Sequence, residues 1–545
     1  MPADALSTAT RRSAPRRFTT ACAALLIACQ VLTPPMAGAQ LLFGMGDGGE
    51  MTAAAERRLG DQIARELYRD PDYIDDPVLD AYVQDIWQRL LAAARSRGEL
   101  TPELDERFAW TLFMGRDRNI NAFALPGGYL GLNLGLIAAT DSPDELATVL
   151  GHELSHVTQR HIARMMSKQS RQMPLMLAAM VLGMIAASKS RNGDAGQAMI
   201  VGGQALAMQS QLSFSRDMER EADRVGFGVM TQAGFAPQGA ASMFEKLQYA
   251  SRLNDNGSYP YLRSHPLTSE RISDMQGRFQ FRATEGAAPV EPLATAATPG
   301  AVPAKVPAAS SLSPSPKMDY AMIASRARVL SRPGADVLRL WTRAASGGSF
   351  DKASPAQQAG VLYAAALAAK ELRDIPLAQS LAARLVARAA GDPAAARLAR
   401  LLSAEIELAA GAAPQAAALL DAKSKDRPEM FLSAQAAIAS RNPTPMVAPL
   451  RDWVAVHPKD SGAWRLLGTL YNAQGDTLRA VRADAEANVA TLDYAAARDR
   501  FKAAQELMRT GPAAATADYY EGSIIDTRAR AVEALLKDQQ SDPPL

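Results

Sequence analysis

The residues best suited to chemistry are two histidines and a glutamate in the stretch from Leu146 to Val157. His152 and His156 are four residues apart where apolar residues recur at helical spacing, so both imidazoles lie on one face of a predicted helix. Two neutral imidazoles at this spacing bind Zn(II), and Glu153 between them can act as a general base toward water. The chain has only five histidines in 545 residues, so two in this frame predict a zinc site.

Zinc needs a third protein ligand, with the fourth position left for water. His161 follows His152 by nine residues, whereas the third histidine of the metzincin proteases follows the first by ten, so spacing does not favour His161 as a ligand. His457 stands before a proline far along the chain and is interpreted as structural.

Two acidic residues on the helix predicted from 215 to 230 are better candidates. Glu219 and Asp223 are four residues apart and share one helix face. Glu219 could bind the metal, while Asp223 could accept a hydrogen bond from a ligand histidine and fix its tautomer. The alternative is a solvated acidic face, and Glu221 is interpreted as part of such a face.

Patterns around the zinc helix predict the elements that position it. Asp141-Ser142-Pro143 has the residue types of a helix N-terminus, with a capping side chain followed by proline in the first turn. Residues 108–114 alternate like a β-strand, and residues 121–132 predict two short strands around Pro126-Gly127-Gly128. An open edge near Asn121, Ala122 and Phe123 could bind substrate as an added strand; the alternative is a structural hairpin.

Three blocks make the chain resemble the zinc metallopeptidases of the gluzincin group that includes the HtpX heat-shock protease and the CAAX prenyl proteases. The resemblance implies one Zn(II) per chain with Glu219 as third ligand. It also gives His265, before Pro266, two open roles. His265 either occupies the fourth zinc position and holds the enzyme latent, or acts with Arg271 to stabilise the oxyanion. The matching blocks are Asn121-Ala122-Phe123 with Gly127-Gly128, Glu145 to His161 with its HExxH, and Glu219-x-x-x-Asp223.

Composition divides the chain into four predicted regions. Residues 1–39 have the basic start, apolar core and small-residue cleavage site of a secretory signal, and 40–282 form the metallopeptidase domain. A competing reading is a lipid anchor on Cys29. Residues 283–317 are a linker rich in proline and alanine, and 318–545 a helical repeat domain.

Charge excludes a class of partner. The leader carries four arginines and one aspartate, so its removal lowers the formal net charge from +2 to −1. A near-neutral chain is a poor nucleic-acid binder, so no nucleic-acid partner is expected. Both cysteines lie in the leader, so the mature chain is expected to have no disulfide.

The C-terminal region shows a repeat signal. Trp464, Leu467, Gly468 and Tyr471 match the tetratricopeptide spacing, and weaker copies begin at Leu362 and Leu401. The pattern predicts a short solenoid of helix pairs, which typically binds segments of other proteins. The alternative is an ordinary helical bundle.

The Met-rich segment has an uncharged run, 173–187, that is too short to span a bilayer. This run is either a buried core helix or a flap that faces the substrate or makes peripheral contact with a membrane.

Together these features predict a mainly α protein with a small β-sheet: an α+β gluzincin domain followed by a tetratricopeptide-like solenoid. The predicted function is an exported, periplasmic zinc endopeptidase. The resemblance implies quality control of misassembled outer-membrane proteins, a chaperone-like role, and recruitment of the outer-membrane assembly machinery by the repeats. The alternative function is a periplasmic chaperone or adaptor with a latent zinc site.

Overall fold

The structure is a computed structural model that describes residues 51–167, 215–252, 260–285, 317–510 and 519–541. The predicted fold class is confirmed, because the described residues are mainly helical with one small sheet. The predicted leader 1–39, Cys29, the segment 173–187 and most of the linker 283–317 lie outside the described residues.

The first part of the chain contains the sheet and ten helices among the residues described. Its strands are β1 Thr111–Gly115, β2 Ala122–Leu125 and β3 Tyr129–Asn133. Its helices are α1 Ala53–Arg69, α2 Pro77–Ser96, α3 Pro102–Arg107, α4 Leu134–Ala139, α5 Pro143–Thr158, α6 His161–Ser167, α7 Arg216–Gln232, α8 Gln238–Arg252, α9 Tyr261–Ser264 and α10 Ser269–Glu285.

The three strands form one sheet in the order β1-β3-β2. β1 runs parallel to β3, whereas β2 pairs with β3 as an antiparallel hairpin. The turn between β2 and β3 is Pro126–Gly128, as its composition predicts, and both of its glycines have positive φ angles. The sheet leaves β2 at an edge beside α5, so the strand predicted to hold substrate borders the zinc helix.

α5, the helix predicted to bind zinc, begins as its sequence predicts. Ser142 is the N-cap of α5, and its hydroxyl accepts a hydrogen bond from the backbone N–H of Glu145. Pro143 occupies the first turn, where no backbone N–H is needed. Every residue of α5 is buried, so the packing around the helix rigidly positions both of its histidines.

The second part of the chain is helical throughout the residues described, and its longer helices pack on their sequence neighbours. Gly468 lies where α20 crosses α21, since an added Cβ would stand 3.4 Å from Cβ of Ala483. The tetratricopeptide-type spacing around Trp464 therefore coincides with a tightly packed helix pair. The helices are α11 Met318–Leu330, α12 Ala335–Ala344, α13 Gly348–Asp351, α14 Pro355–Glu371, α15 Ile375–Ala389, α16 Pro393–Ala409, α17 Ala413–Ala418, α18 Arg427–Ala439, α19 Thr444–Val456, α20 Ser461–Ala473, α21 Thr477–Ala490, α22 Tyr494–Thr510 and α23 Tyr519–Ser541.

A buried ion pair joins these helices to the first part of the chain. Arg326 of α11 lies 2.7 Å from the carboxylate of Asp76, which caps the N-terminus of α2, and 2.8 Å from Glu405 of α16. The hydrophobic core continues across the same junction from α2 and α5 to α11 and α14. The predicted domain boundary at 282 stays a prediction, and α10 continues to Glu285.

Within the residues described, no helix is both long enough and apolar enough to cross a membrane.

Candidate active site

Four side chains from three elements converge in the interior of the first part. α5 supplies His152 and His156, α7 supplies Glu219, and His265 follows α9 directly. One nitrogen or oxygen atom from each lies within 4.8 Å of the corresponding atom of every other. Nε2 of His156 is 3.0 Å from Nε2 of His152, and Oε1 of Glu219 is 3.5 Å from Nε2 of His156.

The donor set fits a metal ion. Two imidazoles and one carboxylate are the ligand types that Zn(II) takes in catalytic sites. All four side chains are buried, and burying such groups together is costly unless a cation or hydrogen bonds compensate them. This part of the chain therefore holds a metal-binding group made of His152, His156, Glu219 and His265.

Asp223 and Arg271 stand directly behind two of these side chains. Oδ1 of Asp223 lies 2.9 Å from Nδ1 of His152, so the carboxylate can hold the hydrogen on that nitrogen and leave Nε2 free to bind a metal. Arg271 donates to both oxygens of Asp223, at 2.6 and 2.8 Å, and its Nη1 lies 2.6 Å from Oε2 of Glu219. One arginine thus contacts both Glu219, the predicted ligand on α7, and Asp223, which is predicted to orient His152 on α5.

These contacts set the protonation of the site. Burial by itself would raise the pKa of Asp223, but the hydrogen bonds from Arg271 and His152 hold it below its usual value. Burial would lower the pKa of His152, whereas its contacts with Asp223 and Glu219 raise it to about 10. Burial lowers the pKa of His156 well below its usual value, which favours the neutral imidazole that ligation requires.

Glu153 is placed for proton transfer. Its side chain is fully buried, and its Oε2 accepts a hydrogen bond of 2.9 Å from the backbone N–H of Ala124 on β2. Its Oε1 is buried, has no hydrogen-bond partner among the residues described, and lies 3.5 Å from Nε2 of His265. Burial raises the pKa of Glu153 and so brings this carboxylate closer to the range in which a general base works well.

His265 is the member of the metal-binding group that comes from the segment after α9. Its Nδ1 lies 2.9 Å from Oε1 of Glu219 and 3.3 Å from Nε2 of His152. The ring stacks on Tyr261 with centroids 4.7 Å apart, and Arg271 donates to the carbonyl oxygen of Pro266. The loop that carries His265 is therefore anchored at both ends.

The sequence from 77 to 279 matches the model of peptidase family M48. The beta-barrel assembly-enhancing protease of Yersinia pestis is 30% identical over 437 residues, which cover 79% of this chain and 80% of that protein. The chain belongs to peptidase family M48. The predicted family resemblance and the predicted enzyme class, a metalloendopeptidase, are thereby confirmed.

Other M48 relatives match a shorter part. A protein of Vibrio cholerae serotype O1 is 38% identical over 240 residues, 43% of this chain and 46% of that protein. The mitochondrial metalloendopeptidase OMA1 of Arabidopsis thaliana is 29% identical over 199 residues, 36% of each chain. The alignment thus spans about half the length of the Vibrio relative, and both shorter alignments are of the size of the M48 match.

In this M48 peptidase, His161 and Glu221 lie next to the metal-binding group, although their spacing in the sequence did not indicate it. His161 is not among the four clustered residues but lies directly behind His156, with the two Nδ1 atoms 2.9 Å apart. Glu221, interpreted from the sequence as solvated, has a side chain only 28% exposed and lies 3.0 Å from Nε2 of His161. The signal available in the sequence was a third histidine close behind the motif, but its partner is 60 residues away.

The predicted substrate strand of this M48 peptidase has main-chain groups facing two ways. The carbonyl oxygen of Asn121 accepts a hydrogen bond from Asn133, so it faces the sheet. Because direction alternates along a strand, the groups of Ala122 and Ala124 face away from β3, where the N–H of Ala124 donates to Glu153, and those of Phe123 face β3. The edge beside the site is therefore formed by Ala122 and Ala124, and substrate binding by Asn121, Ala122 and Phe123 stays a prediction.

Proposed function

We propose that this chain is a zinc-dependent endopeptidase that cleaves misassembled outer-membrane β-barrel proteins in the periplasm. The observation that carries the proposal is the convergence of His152, His156 and Glu219 beside the unpartnered Oε1 of Glu153. This arrangement provides three metal ligands and a general base within one buried cluster.

The residues of the chain divide the chemistry among them. A Zn(II) held by His152, His156 and Glu219 would polarise the scissile carbonyl and acidify water. Glu153 accepts the proton of the attacking water at Oε1 and later donates it to the leaving amine, while Ala124 holds the other carboxylate oxygen in place.

Two groups are candidates for oxyanion stabilisation. His265 and Arg271 are the cationic or hydrogen-bonding side chains nearest the cluster from the α9–α10 side. Arg271 is engaged with Asp223 and Glu219, so in this conformation its role is to hold the site together. The imidazole of His265 lies between Glu219 and Glu153, so it is the group that would block or open the site.

The conformation described is proposed to be latent. Nδ1 of His265 lies 2.9 Å from Oε1 of Glu219, and Nε2 lies 3.5 Å from Oε1 of Glu153, so the ring occupies the space that water and the scissile carbonyl need. A fourth protein donor excludes the open coordination position that hydrolysis requires. The loop must therefore withdraw before a substrate can be cut.

The proposed clients are chosen on two grounds. The Yersinia relative is named for enhancing β-barrel assembly, and its alignment covers 80% of that protein. An open edge at β2 suits extended segments, which only unfolded or unassembled chains present. The helical repeats would recruit such clients or the outer-membrane assembly machinery.

A second candidate is a periplasmic chaperone or adaptor that binds clients without cutting them. The same contact of His265 with Glu219 favours it, because a closed site does no hydrolysis. In that case the repeat helices would perform the cellular function.

Glu153→Gln separates the two functions. The amide keeps the hydrogen bond from Ala124 but cannot accept a proton, so we expect zinc binding near that of the wild type and proteolysis of a loosely folded outer-membrane protein reduced by about 100-fold or more. The endopeptidase proposal also requires that this variant fail to restore outer-membrane assembly in cells that lack the protein. Full restoration by Glu153→Gln would instead support the adaptor.

A further inference from the structure

Nδ1 of His156, the ring nitrogen that does not face His152, contacts a second histidine. Nδ1 of His156 and Nδ1 of His161 are 2.9 Å apart, and the rings meet at 75° with centroids separated by 4.9 Å. His161 is itself fully buried. On its far side, Nε2 lies 3.0 Å from Oε2 of Glu221, which also accepts a hydrogen bond of 2.9 Å from Arg164.

Only one placement of hydrogens satisfies this chain of contacts when His156 binds a metal. A ligand imidazole presents an unprotonated Nε2, so Nδ1 of His156 carries the hydrogen. That hydrogen needs an acceptor, which Nδ1 of His161 provides when His161 holds its own hydrogen on Nε2. The hydrogen on Nε2 then points to the carboxylate of Glu221, so each contact has one donor and one acceptor.

From this geometry we infer that His161 and Glu221 are positioning residues for the metal site, acting through a hydrogen-bonded chain from Glu221 through His161 to His156. The inference rests on the proposed zinc site and extends it. Asp223 does the same for His152 by direct contact at 2.9 Å. His156 lies deeper, so a buried imidazole spans the distance to a carboxylate near the surface.

The backbone is built to bring His161 to this place. α5 ends at Thr158, and Arg160 adopts the left-handed conformation at φ +52°, which reverses the chain before α6 begins at His161. Arg160 is held in turn by Glu56, whose carboxylate is 3.1 Å away and buried. A non-glycine residue with positive φ costs free energy, so this turn is maintained by the surrounding contacts.

The test measures zinc affinity by competition with a chromogenic chelator and, separately, thermal stability of the metal-free protein. His161→Leu fills the buried space but removes the acceptor that His161 offers to the Nδ1 hydrogen of His156, so we expect zinc affinity to fall by about 10- to 100-fold. His161→Gln offers an amide oxygen to His156 and an amide hydrogen to Glu221, and should recover most of the loss. Glu221→Ala truncates a partly exposed side chain and should weaken zinc binding in the same direction by a smaller factor.

Arg220→Gln is the matched control. It removes a charge next to Glu221 on the same helix, but its side chain pairs with Asp217 and Glu270 at the surface. This variant should bind zinc as the wild type does.

Two results would overturn the inference. The first is wild-type zinc affinity in both Glu221→Ala and His161→Leu. The second is an equal loss of affinity in His161→Leu and His161→Gln that parallels a fall in stability of the metal-free protein, which is the pattern of a packing role. Failure of the wild type to bind zinc would reject the proposed function itself, so the two failures are distinguishable.

Discussion

Gly151 and Gly226 face each other where α5 crosses α7. A Cβ built on Gly226 would lie 2.9 Å from the carbonyl carbon of Gly151 and 2.9 Å from the backbone nitrogen of His152. The two helices therefore touch backbone to backbone, immediately beside His152, a proposed metal ligand. This close crossing is what brings Glu219, on one helix, to the histidines on the other.

Substituting Gly226 with alanine should separate these helices. The new methyl group meets backbone atoms, which cannot move aside as a side chain can, so we expect a loss of about 1–3 kcal/mol in stability. Zinc affinity should fall as well, because Glu219 retreats with α7. Gly277→Ala in α10 is the control, since its Cβ would meet nothing within 4 Å. Equal zinc affinity in Gly226→Ala and the wild type would show that the crossing does not set the site.

Replacing His265 with alanine should activate the enzyme. The substitution removes the imidazole that stands 3.5 Å from Oε1 of Glu153 and opens the space between the base and the ligands. At equal zinc loading, we expect faster cleavage of a loosely folded protein than by the wild type. Ser264→Ala, next to His265 in the chain, should leave the rate unchanged. Slower cleavage by His265→Ala would make this histidine catalytic and end its role as a plug.

Arg271→Leu should destabilise the metal-free protein. The buried side chain carries a positive charge that faces both Asp223 and Glu219, so its removal takes this cation away from two buried carboxylates. Breaking a buried ion pair of this kind costs about 3–5 kcal/mol, measured by chemical denaturation. Arg278→Leu in the same helix breaks only a half-exposed pair with Asp274 and should cost less than about 1 kcal/mol. Similar losses in both variants would contradict the bracing role of Arg271.

Three carboxylates surround one guanidinium at the junction between α2 and α18. Arg427 lies 2.8 Å from Asp75, 2.8 Å from Asp460 and 3.5 Å from Asp80. Burial, with the like charges of Asp75 and Asp460, raises the pKa of Asp80 to about 6 despite Arg427. The folded protein therefore holds the Asp80 proton to a higher pH than the unfolded chain does.

This shift predicts how Asp80→Asn changes stability with pH. The folded protein holds the Asp80 proton up to about pH 6, whereas the unfolded chain releases it near its ordinary pKa, so this group favours folding at low pH and loses that contribution as pH rises to 6. Asn does not titrate. Relative to the wild type, the variant should therefore gain on the order of 1 kcal/mol between pH 5.0 and pH 7.5 in urea denaturation.

The control for this pH effect is Asp85→Asn, an exposed position on the same helix. Its stability difference from the wild type should stay below about 0.5 kcal/mol. A relative stability of Asp80→Asn that is constant with pH would contradict the raised pKa.

Local sequence signals predicted much of the site because its main motif is local. A four-residue interval on a helix places His152 and His156 on one face wherever the helix lies, and the same interval pairs Glu219 with Asp223. Ser142 and Pro143 predicted the start of the helix, and Pro126 with two glycines predicted the turn of the hairpin. These features depend on residues within one turn of each other.

The partners joined across the fold could not be read in this way. Arg271 is 48 residues from Asp223, and Glu221 is 60 residues from His161, so no periodicity links them. Glu221 is nearly opposite Glu219 on an ideal helix, which is why the sequence favoured a solvated residue. α6 brings His161 between that helix and His156, and this position exists only once the chain reverses at Arg160.

By itself, the sequence determined the helices, the hairpin and the motif that binds a metal, because these follow from spacing along the chain. The tertiary structure alone decided which side chains brace the proposed ligands, where His265 lies and how the helices of the second part pack on α2. The physical reason is that burial and distance, which set the pKa values and the ion pairs, are properties of packing between segments far apart in sequence.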